Sequence, residues 1–376
     1  YITLTSEEGT LLAQVGFAEN PSLLDAPAGV LFPLGLLSFE LSNLTRSSTT
    51  VEILLPDGLD IDSYYKYGPT PGAPLPHWYE FSFNGTTGAE LFDDRVVLHF
   101  VDGERGDDDL AVNGEIIEPG GPAQVLTSSF FFPQFADGAA GSLKFQSTLI
   151  LVNTGEDTSV QVGLFSTPDG DPMTLTLGQL GPESVFEFGL GEGESVSLQT
   201  PGQDRLQVGY ARVFADEGVG GVVVFQRTDL TTGVTLYEAG VPASKELTEF
   251  SIFVDSLGVR DTGFAIVYPP LGEGVSPAEL ADATLTVRLY DKQFNLIAEK
   301  TLGPLSPGRH IARFVYELFD DLEVKSQAQE MEGILTVESD QPLVAVTIRQ
   351  NDHPGQEFPQ EVPLLTTFPV IPGVPE

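Results

Sequence analysis

At 376 residues and 41% hydrophobic content, the chain is long enough for more than one buried core and too apolar for wholesale disorder. Its 17 Lys+Arg against 55 Asp+Glu leave a net charge of −38, which repels nucleic-acid phosphate and anionic lipid and argues against both as partners. Cysteine is absent, which removes disulfides, thiolate metal sites and Cys nucleophiles.

The opening at Tyr1, without a basic or apolar leader, reads as a processed segment. Two alternating runs come first, "YITLT" and "TLLAQVGF", and the second sets Leu11, Ala13, Val15 and Phe17 on one face. Further on, "LSFELSNL", "DRVVLHFV", "STLILVN", "SVQVGLF", "TLTVRLY" and "GILTV" alternate in the same way, with turn residues every eight to twelve positions. This is the pattern of antiparallel sandwiches with one buried face per sheet. Helical periodicity is confined to "RFVYELFDDL" (313–322). No apolar run approaches the ~18 residues of a membrane span.

The segment 101–114, "VDGERGDDDLAVNG", gathers five acidic residues around three glycines. Asp102, Asp107, Asp109 and Asn113 offer oxygens for calcium, although not in EF-hand register. The competing expectation is that these side chains cap backbone N–H groups in turns. Arg105-Gly106-Asp107 spells an adhesion tripeptide, for which a folding role is the stronger expectation. Upstream, His77, Trp78 and Tyr79 form an aromatic cluster, either a sugar-stacking platform or a packed corner. The four histidines share no metal spacing, and GxSxG, HExxH and GxxxxGK[ST] are all missing. No catalytic residue is assigned.

Residues 160–177 align without gaps on 285–302, and 209–227 on 333–351, at offsets of 125 and 124 residues. The expected organisation is therefore all-β, with three tandem antiparallel sandwiches, Ig-like or jelly-roll-like, at 1–122, 123–244 and 245–376. "EPGGPA" (118–123) would close the first and "GVPASKE" (240–246) would part the other two.

The blocks "KYGPTP", "HWY", "GTTGA", "DGERGDDDLAVNG" and "PGGPA" within 64–123 resemble the choice-of-anchor U domain of bacterial surface and secreted proteins. The repeats after it resemble a β-sandwich unit of exported bacterial proteins, although that family is usually followed by an anchor instead. The resemblance implies an extracellular or cell-surface location and a non-enzymatic role. A structural subunit is expected, pairing with copies of itself or with other surface components, and forming a filament or coat by exchange of a terminal strand. Ile2, Leu4, Leu11, Ala13, Val15 and Phe17 are the expected assembly-strand residues, and calcium the expected ion. The alternatives are an adhesin or carbohydrate-binding stalk using Trp78 and Tyr79, and a secreted hydrolase with dispersed carboxylates.

Overall fold

A computed structural model describes residues 2–21, 26–44, 46–258, 260–269, 281–351, 365–368 and 370–374. The protein is all-β, and its contacts divide it into one unit ending at Leu126 and a second beginning at Thr127. Among the described residues, no helix is long and apolar enough to cross a membrane.

The first unit contains β1 (Thr3–Ser6), β2 (Leu11–Ala18), β3 (Val30–Leu31), β4 (Leu36–Ser42), β5 (Ser48–Leu54), β6 (Ser63–Thr70), β7 (Ala73–Glu80), β8 (Gly88–Phe92), β9 (Arg95–Val101) and β10 (Ile116–Val125). They form two antiparallel sheets, β1-β5-β9-β8 and β2-β4-β10-β6-β7. Leu37, Phe39, Leu41, Val51, Ile53, Val96, Leu98 and Phe100 fill the space between them, as the alternation predicts. The other face of the second sheet carries Tyr65, Tyr67 and Trp78, covered by the segment that includes Val30 and Phe32. "EPGGPA", expected to close the first unit, lies within β10, the middle strand of its sheet, paired with β4 on one side and β6 on the other. Glycine allows this: a Cβ on Gly121 would come 2.7 Å from the Gly35 carbonyl.

The second unit opens with β11 (Ser128–Ala140), β12 (Leu143–Asn153), β13 (Thr158–Ser166), β14 (Leu175–Leu177), β15 (Leu180–Glu183), β16 (Val185–Leu190), β17 (Ser195–Gln199), β18 (Gln207–Ala215), β19 (Val219–Asp229) and β20 (Thr235–Pro242). It continues with β21 (Leu247–Asp255), β22 (Arg260–Val267), β23 (Ala283–Asp291), β24 (Leu296–Leu305), β25 (His310–Phe314), β26 (Glu332–Asn351), β27 (Leu365–Phe368) and β28 (Ile371–Pro372). The pairing β16-β13-β18-β11 recurs as β24-β23-β26-β21, and β17-β12-β19-β20 recurs as β25-β22-β26-β27. The single long strand β26 does the work of both β18 and β19. Strands β13 and β23 begin and end 125 residues apart.

The two sandwiches of this second unit are not separate. Phe131 and Tyr210 from β11 and β18 pack on Val267 and Val344 from β22 and β26. Ala265, Val346 and Leu365 join the core of the first sandwich. Sheets of this unit are therefore buried on both faces, and β11, β18 and β22 read as nearly continuous buried runs. The expected helix at 313–322 is also displaced. A 3-10 turn occupies Val315–Leu318, and the helix runs from Leu322 to Ala328. The Asp321 carboxylate accepts from Glu323 and Val324 N–H and starts the helix there.

Candidate functional site

Period two on β6 sends Tyr64, Lys66 and Gly68 into the sandwich and Tyr65 and Tyr67 outward. On β10 the same rule turns Ile116, Glu118 and Gly120 inward. Because Gly120 lies opposite Lys66, Glu118 is the diagonal neighbour of the lysine on the same face. Lys66 and Glu118 are both fully buried, and Lys66 Nζ is in direct contact with Glu118 Oε2. Tyr64 donates its hydroxyl to Glu118 Oε1 at 2.8 Å. The ammonium position lies 5.5 Å from the Phe81 ring centre and 5.6 Å from that of Phe100. Burial lowers the Lys66 pKa to about 7, against the pull of Asp108 and Asp107. Burial also raises the pKa of Asp108, whose Oδ1 is enclosed without a hydrogen bond. None of these four residues was expected from sequence. The one signal in the sequence is a lysine that shares its period-two face with Tyr64 and Gly68 in a tyrosine-rich strand.

The acidic loop 101–114 closes this end of the sandwich. Asp102 accepts from Asn113 N–H (3.2 Å) and Gly114 N–H (2.9 Å), and Asp107 from Gly103 N–H (2.9 Å) and Ile117 N–H (3.3 Å). Asp109 accepts from Ala111 N–H and from the Asn113 amide, and Asn113 Oδ1 accepts from Glu115 N–H. The four residues expected to hold calcium are thus engaged as caps. Among the described residues no three His, Asp or Glu side chains converge as a metal would need. Arg105 is turned inward as well, donating to the Ser82 and Thr87 carbonyls and lying over Phe81. The tripeptide belongs to the fold and is not presented as an extended ligand.

Trp78 is only 8% exposed, stacked on Phe32 and meeting Tyr67 edge-on, both at 5.5 Å. Tyr79 lies on the inward face against Phe81. Of the two expectations for this cluster, the packed corner describes it, with residues 30–36 supplying a cover that local sequence does not announce.

The assembly-strand residues divide. Ile2 and Leu4 pack on the first unit's own core, β1 closing one sheet. Strand β2 closes the other sheet, but a bulge between Ala13 and Gly16, with Gln14 at φ 52°, breaks the expected single face. Leu12 is the residue that packs inward, while Ala13 is half-buried. Leu11, Val15 and Phe17 remain 57%, 53% and 72% exposed. His353 and Thr45, the latter part of a glycosylation sequon in form, lie outside the described residues.

In the second unit, His310 Nδ1 contacts the Thr167 hydroxyl, beside a cavity of about 330 Å³. Burial lowers the histidine pKa to about 4, and its Nε2 faces the Pro133 carbonyl without a well-formed hydrogen bond. A nucleophile and base need a third group to orient the base. No carboxylate reaches the ring among the described residues.

The chain matches no protein-family model, no curated protein and no solved structure. The likeness of 64–123 to the choice-of-anchor U domain stands on the quoted motifs alone.

Proposed function

We propose that this chain is a non-catalytic extracellular structural subunit of a bacterial surface, joining copies of itself through the edge strand β2. The observation that carries this is the exposure of Leu11, Val15 and Phe17 along an edge strand whose outer backbone groups have no partner strand among the described residues. Large apolar side chains on an open edge favour pairing with another strand, and main-chain hydrogen bonds supply the rest. A charge of −38 on each copy opposes close approach, so association strengthens as salt screens it. The motif resemblance supports the extracellular location. The carbohydrate-binding and hydrolase alternatives carry less support: Trp78 is packed on Phe32 and Tyr67, with only its margin lining a cleft of about 220 Å³, and no carboxylate orients the His310 ring among the described residues.

Sedimentation of the purified chain at rising salt tests the proposal. Association is expected in the natural chain and is lost in a Val15→Lys, Phe17→Lys double variant whose far-UV circular dichroism is unchanged. A chain that stays monomeric at every salt concentration, or a double variant that assembles equally well, overturns it.

A further inference from the structure

We propose that Lys66 and Glu118 become joined by an intramolecular amide bond, a covalent staple between β6 and β10 in the core of the first unit. The two side chains are fully buried and touching, on neighbouring antiparallel strands whose register holds them on one face. The surroundings are dry and aromatic, with Phe81 and Phe100 flanking the nitrogen. An ion pair there carries a large desolvation cost. Passing the ammonium proton to the carboxylate leaves a neutral amine against a neutral acid, which are the reacting forms for amide formation.

The neighbours suit each step. Tyr64 donates to Oε1, the oxygen that stays as the amide carbonyl, and so stabilises the negative charge developing there during attack. The Asp108 carboxyl lies over Gly68 with Oδ1 enclosed and free of hydrogen bonds, and its field acts on Lys66. No hydrogen bond joins it to Lys66 at rest, so it acts by closing onto the attacking nitrogen, taking its proton and giving it to the departing oxygen. Glycine keeps this space open: a Cβ at 68 would collide with Asp108 Oδ1, and one at 120 would come 2.5 Å from Glu118 Oε1. The balance is simple. The Nζ–Cδ bond forms, the Cδ–Oε2 bond breaks and one water leaves, with nothing oxidised or reduced. Holding amine and acid in contact gives the pair a high effective concentration. A chain without cysteine thereby gains a cross-link across 52 residues of sequence.

Intact-mass spectrometry of the denatured full-length protein decides the matter. The mass is expected to fall below that of the sequence by one water, and proteolysis should release a branched peptide joining the Lys66 and Glu118 segments. Lys66→Arg should show its full sequence mass. Asp108→Ala, with folding checked by Trp78 fluorescence, should cross-link at least ten-fold more slowly. A natural chain at full sequence mass, with both groups free, overturns the proposal, and the pair is then an ordinary buried ion pair. Cross-linking of Asp108→Ala at the natural rate removes Asp108 from the proton path.

Discussion

Lys66 in the first unit and His310 in the second are both sealed from solvent, yet by different routes. Lys66 sits inside a two-sheet core and is matched by a carboxylate, a phenol and two aromatic rings. His310 sits where the two sandwiches of the second unit meet, near Tyr210, with the Thr167 hydroxyl on one nitrogen. Burial alone holds its ring neutral. A lysine nitrogen in the two-sheet core is thus matched by an acid in direct contact, whereas the imidazole in the stacked sandwiches is buried by staying uncharged. Arg212 follows a third course in the second unit, lying over Phe131 and Phe214 at 5.2 and 4.1 Å.

Tyr210→Ala is the substitution expected to separate the two units most. Tyr210 is fully buried, stacks on Phe165 at 5.0 Å and donates to the Gly308 carbonyl. Truncation should cost the second unit about 3–5 kcal/mol, read as lost hydrogen-exchange protection along β18. Trp78, the single tryptophan, reports the first unit, and its melting midpoint should not move. Equal loss in both signals would mean that the units unfold as one.

The next effect is pH. The His310 pKa is about 4 in the fold against an ordinary 6.5, so the unfolded chain binds more protons between these values. Stability of the second unit therefore rises from pH 4 to 6.5 and is lost as pH falls through that window, by about 3 kcal/mol. In His310→Gln the slope of unfolding free energy over that window should flatten. An unchanged slope would assign the acid sensitivity to carboxylates instead.

The smallest effect expected is that of Asp102→Ala, which strands the Asn113 and Gly114 N–H groups. The Trp78 melting transition should lose about 1–2 kcal/mol, with β18 protection unaffected. Melting the natural chain with and without chelator accompanies it: no shift fits a loop held by backbone caps, and a fall on chelation would place calcium there.

Much of the first unit was legible because one face of each strand is wet or thinly covered. Leu37, Phe39 and Leu41, or Val96, Leu98 and Phe100, alternate in sequence and alternate in burial. Strand β2 departs from simple alternation because the bulge at Gln14 leaves no period-two trace. In the second unit β11 and β18 are covered on both faces, so alternation fades and "SSFFFPQFADGAA" does not say which sheet lies on which side. The acidic loop's residues were identified, and so was their capping alternative. The role of Lys66 is not legible in sequence, because one lysine in a tyrosine-rich strand looks like surface.

Local order alone determined that this is an all-β protein with a strand–turn–strand unit recurring at about 125 residues, because side-chain alternation and turn chemistry are short-range properties. The tertiary structure decided that the two recurring sandwiches share apolar faces, that residues 30–36 cover Trp78, and that Glu118 meets Lys66. Those outcomes depend on register and packing between strands distant along the chain, where no local pattern carries the information.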